Sequence, residues 1–222
     1  EIWQQAISID VALQDMNSLY THSKEAVELF PLVLDFYRYY IISAYATSNF
    51  QDVVEAVDFA SPYVEKNHEL YIDFLSMQAD AYYKLEEFHK SDSVFDLILY
   101  KDSENIQALN NYSYFLALRN ENLDKALEMS TKLMSLAPNN PSFLDTHAWV
   151  LYKHKRYADA LIFINQALIQ DSTNATFLEH KGDILFRIDK VDQALEFWEE
   201  AYKNNGDNEQ LKEKIKQKKI LD

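Results

Sequence analysis

The sequence predicts an all-α protein in which one helix pair is written six times. Three observations carry this. Two Gly and four Pro in 222 residues leave little for hairpin turns or nucleotide loops, whereas the abundant Ala, Leu, Glu, Lys and Gln favour helix. An apolar fraction of 48% is ample for a core. Finally, YADALIFINQAL at 157–168 returns 34 residues later as VDQALEFWEEAY at 191–202. A fixed interval of that size marks a repeat array, in which no single unit can bury its apolar face alone.

The elements follow in order. The first unit, 1–33, carries Trp3, Met16, Leu19, Ala26 and Pro31, and the second, 34–67, carries Tyr37, Ile41, Ala44, Phe50, Val53, Val57 and Ala60. His68 to Tyr71 are left over as an insertion. The third, 72–105, repeats the spacing with Leu75, Ala79, Tyr82, Phe88, Ser91, Phe95 and Ile98. The fourth, 106–140, fits with one extra residue in the turn ENLD and gives Leu109, Ser113, Leu116, Leu123, Ala126, Leu133 and Pro138. In the last two, 141–174 and 175–208, small residues coincide (Ala148 with Gly182, Ala160 with Ala194, Ala167 with Ala201), and so do large ones (Leu144 with Leu178, Leu151 with Leu185, Tyr157 with Val191, Ile164 with Trp198). Small residues permit close helix approach and large ones fill the remaining space. The pattern departs where Leu19, Val53 and Ser91 stand in place of the Ala that opens the later second helices.

Within each unit two apolar-periodic segments of about 14 residues, each roughly 20 Å long, are separated by polar turns such as SNFQD, KHKRY and RIDKV. Pro31 and Pro138 sit where a second helix must stop, because proline lacks the N–H that would continue it. Stacked helix pairs of this kind form a solenoid with a concave face. The segment 209–222 reads as a capping helix, with Leu211 and Ile215 facing inward and its five Lys solvated. Since the chain starts at Glu1 without a polar cap, further repeats or another segment are expected upstream.

Charge is uneven. Residues 1–105 hold 19 acids and 6 bases, a balance of −13, and residues 106–222 hold 17 and 15, a balance of −2. Phosphate backbones and anionic lipids are bound through clustered Lys and Arg, so nucleic acid is not an expected partner. The absence of Cys excludes disulfides and thiolate chemistry. No stretch approaches the roughly 18 apolar residues of a membrane span.

Catalytic chemistry finds little footing. His22, His68, His89, His147, His154 and His180 lack the spacing of a metal site, although His147 and His180 lie in adjacent units. With only Gly182 and Gly206, no phosphate-binding or nucleophile-elbow motif can be built. Pairs such as Glu86 with Glu87 and Glu199 with Glu200 read as solvated surface. The sequence predicts no enzyme, no cofactor and no metal, and sets no oligomeric state.

The register of Trp/Leu, small, Tyr/Leu, aromatic, Ala, aromatic, Ala and Pro resembles the tetratricopeptide repeat family. The resemblance covers 1–208 and implies a right-handed superhelical solenoid of antiparallel helix pairs. It implies a non-catalytic scaffold or adaptor whose protein or peptide ligand lies along the first helices. The matching groove positions are Asp35, Arg38, Ile42 and Tyr45; Asp73, Ser76, Asp80, Tyr83 and Lys84; Gln107, Asn110, Tyr114 and Leu118; Ser142, Asp145, Trp149, Tyr152 and Lys153; Thr176, Glu179, Asp183, Phe186 and Arg187. That face is aromatic and acidic, so the expected ligand carries Lys or Arg among apolar or aromatic side chains. Trp149 is expected to face outward, without a packing role.

The family's clamp for C-terminal carboxylates uses Asn at the sixth position of successive units. Here Asn111 fits once, Thr146 and His180 follow, and Asp145 and Glu179 replace the basic partners. That mode is disfavoured. The chain is also similar to tetratricopeptide proteins of the bacterial envelope, which implies a periplasmic or outer-membrane-anchored setting, with the cytoplasm as the alternative. Two other readings are a docking or regulatory region of a larger enzyme or a secretion or assembly complex, and an RNA reader of the related 35-residue repeats. The latter needs a basic groove and is disfavoured.

Overall fold

The computed structural model describes residues 2–64, 69–206 and 208–220. Those residues form thirteen α-helices and one short 3₁₀ turn, with no strand among them. The chain divides into two compact units, Glu1–Ala108 and Leu109–Asp222.

The first unit pairs α1 (Ile2–Leu13) with α2 (Met16–Leu29), α3 (Leu34–Ala46) with α4 (Phe50–Ala60), and α5 (Glu69–Lys84) with α6 (Phe88–Lys101). The turn Ser61–Tyr63 follows α4, and α7 (Ile106–Arg119) begins inside this unit and ends in the next. Helix α2 starts on a side-chain cap: Asp15 accepts hydrogen bonds from the N–H groups of Asn17 and Ser18. It ends at Leu29, two residues before Pro31. Ala26, Ala44, Ala60 and Ala79 are wholly buried at the helix contacts. Leu19, Val53 and Ser91, which break the small-residue pattern, are buried just as deeply. Ser91 is accommodated because its hydroxyl donates to the carbonyl of Ala79 at 2.8 Å.

The insertion between the second and third repeats takes a different form. His68 lies outside the described residues, while Glu69 to Tyr71 make the first turn of α5, where the Tyr71 side chain is buried. The apolar content of this turn gives it a reason to be helical, since extending α5 buries Tyr71.

The second unit continues with α8 (Leu123–Leu136), pairs α9 (Pro141–Lys153) with α10 (Tyr157–Gln170) and α11 (Ala175–Arg187) with α12 (Val191–Asn204), and ends in α13 (Glu209–Gln217). An asparagine opens three of its first helices. Asn140, Asn174 and Asn208 each turn a side-chain oxygen onto the free N–H groups of the next turn. Turns inside the pairs use left-handed backbone without glycine: Lys155 and Asp189 both have φ 61°. Polar residues fill these positions, as they do at Ser48 and Glu86 in the first unit.

The core of α11, α12 and α13 gathers Leu178, Leu185, Ala194, Trp198, Ala201 and Leu211. Trp198 is completely buried, and it fits because position 182 is glycine. A Cβ at Gly182 would stand 2.3 Å from Cδ1 of Trp198. The preceding unit solves the same contact with Ala148 and Ile164, both fully buried. Volume has moved from one helix to its partner.

This generates a paired test. Gly182→Ala should destabilise by about 1–3 kcal/mol through overpacking. Gly206→Ala, whose new Cβ meets only an ordinary contact at 3.8 Å, should leave the midpoint of urea unfolding within about 0.5 kcal/mol of wild type. Equal effects would show that the Trp198 contact does not set the packing.

Candidate functional site

Each unit carries a groove whose walls come from first helices. In the first unit a cavity of about 290 Å³ is lined by Arg38 and Ile42 of α3, by Leu70, Ile72, Asp73, Phe74, Ser76 and Met77 of α5, and by Asn105 and Gln107. Asp35, Arg38 and Asp73 are exposed. Of the other groove positions assigned to this unit, Tyr45 meets Phe50 edge-on at 5.5 Å between ring centroids, and burial, with Asp80 nearby, raises its phenol above the ordinary range. Tyr83 packs on Phe88 at 5.3 Å. These two tyrosines are therefore half-committed to their own helix pairs.

The groove of the second unit, about 620 Å³, brings together Tyr114 and Leu118 of α7, Trp149, Tyr152 and Lys153 of α9, Glu179, His180, Asp183 and Arg187 of α11, and Gln210 and Lys214 of α13. Lys155, Tyr157 and Ile220 also reach it. Asn110 does not line it, and its amide donates to Asn111 at 3.0 Å. Phe186 faces the core, stacked on Trp198 at 5.6 Å.

Two sequence expectations fail here. Trp149 does not stand outward: it is 8% exposed and stacks on His180 at 4.1 Å and on Tyr152 at 4.7 Å. Its indole N–H has no acceptor among the described residues. The ninth position looked unpacked because stacking between successive first helices has no sequence period of its own. Nor is the whole tail solvated. Lys214 is 8% exposed, and its ammonium donates to Glu179 at 2.7 Å and to both oxygens of Asp183 at 3.0 Å.

The same contacts change the meaning of the acidic residues. Asp183 also accepts from Trp198 Nε1 at 2.9 Å, and Glu179 from Asn208 at 3.2 Å. Asp145 pairs with His180 Nδ1 at 2.7 Å. Burial opposes charge on His180, but Asp145, Asp183 and Glu179 outweigh it and hold its pKa above the ordinary histidine range. Lys214 behaves likewise: burial disfavours its charge, and the carboxylates of Asp183 and Glu179 hold it protonated. All three groove acids of this unit are thus neutralised from within.

His147 and His180 have separate partners. His147 Nδ1 meets the Ser130 hydroxyl at 2.9 Å, its ring stands edge-on to Phe163, and burial together with Arg156 lowers its pKa to about 4. The sequence reading missed Lys214. The available signal was register, since Lys214 follows His180 by 34 residues at the same sixth position.

Comparison with known proteins adds a frame. Residues 119–201 match the family described as anaphase-promoting complex, cyclosome, subunit 3. The TPR repeat-containing protein PA4667 of Pseudomonas aeruginosa is 34% identical over 71 residues, which is 32% of this chain and 12% of that protein. A tetratricopeptide repeat protein from Parabacteroides merdae superposes with a TM-score of 0.71 at 15% identity over 98% of both chains. The APC/C hetero-tetramer Cut9-Hcn1 gives 0.81 at 10% identity, over 97% of this chain and 42% of that one. The chain therefore spans a small part of the curated relative it matches.

Two outcomes test the site. Lys214→Ala leaves Asp183 buried without its cation and should cost about 3 kcal/mol in denaturant unfolding, whereas adding Asp183→Asn should recover most of the loss. The His147 pKa lies below its unfolded value, so its neutral form stabilises the fold above pH 6.5 and that contribution fades as pH falls toward about 4. Lowering pH from 7 to 5 should therefore cost wild type about 1–2 kcal/mol more than His147→Asn, read as the difference between their thermal or urea midpoints.

Proposed function

For a chain that is a tetratricopeptide-repeat array, we propose a non-catalytic scaffold that binds protein segments along the first helices of its repeats. One observation carries the reading: apart from Tyr157 at the start of α10 and Lys155 in a turn, helical residues lining the two grooves come from first helices or α13. Second helices spend their side chains on packing, so the grooves are left with residues whose identity packing does not dictate.

In the first unit the chemistry favours a ligand with Lys or Arg beside apolar side chains. The balance of −13 in residues 1–105 attracts cations at long range. Asp35 and Asp73 are exposed, and the cavity beside Asp73 is walled by Ile42, Ile72, Phe74 and Met77. Charge speeds encounter, and the apolar wall supplies the lasting contact. The same sign disfavours nucleic acid. Because the chain spans only part of the relatives it resembles, the scaffold also fits a docking portion of a larger protein or assembly.

A displayed random-peptide library tests this. Sequences combining Lys or Arg with apolar residues should be enriched on wild type, and their affinity should fall at least about tenfold on Asp35→Lys with Asp73→Lys, an effect shrinking at high salt. Both positions are exposed, so the melting temperature should stay near wild type. Failure of any peptide to be enriched, or enrichment indifferent to the double variant, would remove the first groove as a binding surface.

A further inference from the structure

The groove of the second unit asks for a ligand of the opposite charge. Its acids are already answered: Asp145 by His180, Glu179 and Asp183 by Lys214. A cationic ligand would have to displace Lys214, whose ammonium makes three charge-assisted bonds in a buried setting. The side chains lining the cavity include Lys153, Lys155, Arg187 and Lys214 against Glu179 and Asp183, so four positive groups face two negative ones. Lys155 stands exposed in the α9–α10 turn and Arg187 exposed at the end of α11. The repulsion that an anion meets at the first unit is largely missing here, since residues 106–222 balance to −2.

The rest of the wall is aromatic. Tyr114, Trp149 and Tyr152 line the cavity. The Lys153 ammonium lies 5.1 Å from the Trp149 ring centroid, and the indole N–H still lacks an acceptor among the described residues. A buried donor without a partner costs free energy until an acceptor arrives.

We propose that this cavity binds a protein segment carrying an Asp or Glu side chain next to an aromatic or large apolar one. The carboxylate meets Lys155 and Arg187, and the apolar neighbour lies against the Tyr114, Trp149 and Tyr152 rings. This deepens the scaffold reading and rests on it, while giving the two grooves different ligands.

The test uses the whole chain and short fluorescein-labelled peptides with amidated C-termini, one alternating Glu with Tyr and Leu, the other with Lys in place of Glu. The acidic probe should bind and change Trp fluorescence, and Lys155→Glu should weaken it at least about fivefold, Lys155→Arg leaving it intact. Asp35→Lys with Asp73→Lys should leave this binding unchanged, which separates the proposal from the first groove. Binding of the acidic probe that ignores Lys155→Glu, preference for the basic probe in a Lys155-dependent manner, or no binding of the acidic probe would each overturn it. A peptide lacking Glu but ending in a free carboxylate is the remaining arm, and its binding in place of the acidic probe would also overturn the side-chain assignment. None of these outcomes touches the first groove's enrichment of basic peptides.

Discussion

A helix pair of about 30 residues has more apolar surface than it can cover by itself, and every other feature of this chain answers that constraint. The answer is close approach between one pair and the next. Ala148, Ala160, Ala167, Ala194 and Ala201 have no measurable exposure, so backbones come together where a longer side chain would hold them apart. What must be conserved at such a contact is summed volume rather than either residue. Ala148 with Ile164 and Gly182 with Trp198 are two divisions of a similar volume, and the second leaves the indole N–H beside Asp183. Packing in the core thereby fixes a carboxylate of the groove.

From that carboxylate the arrangement runs outward. Asp183 holds Lys214, Lys214 holds Glu179, and Asn208 both caps α13 and donates to Glu179. A buried ion pair of this sort contributes little net stability compared with an apolar replacement, because desolvation opposes the attraction. Its effect is on placement: a buried ammonium must find its carboxylates, so α13 has one acceptable register against α11. The cost is that the acids are no longer available to a ligand.

Fold was more legible than site, for a physical reason. Burial imposes a size limit, so Ala160 and Ala194 recur at 34 residues and announce a helix contact. Asn105, Asn140, Asn174 and Asn208 recur just as faithfully, at intervals of 35, 34 and 34, and announce helix starts, although asparagine was not singled out because it carries no apolar period. Groove side chains were correctly placed on first helices at Tyr114, Trp149, Tyr152 and Glu179. Their charge state was not legible. Whether an acid is free depends on a side chain from the next first helix, as with Asp145 and His180, and nothing in a one-dimensional pattern distinguishes a carboxylate that waits for a ligand from one that has found a partner.

Helix contacts in each unit run between neighbours in sequence, α1 to α2, α2 to α3, α9 to α10, α11 to α12, reaching further only to the second neighbour, as α3 does to α5 and α9 to α11. No segment waits for a distant one. Loop closure is therefore inexpensive at every step, and the low contact order belongs to the regime in which helical proteins fold within microseconds to milliseconds. During synthesis each pair can settle against the one before it while later residues are still emerging, so the nascent chain exposes little more than one uncovered helix face at a time.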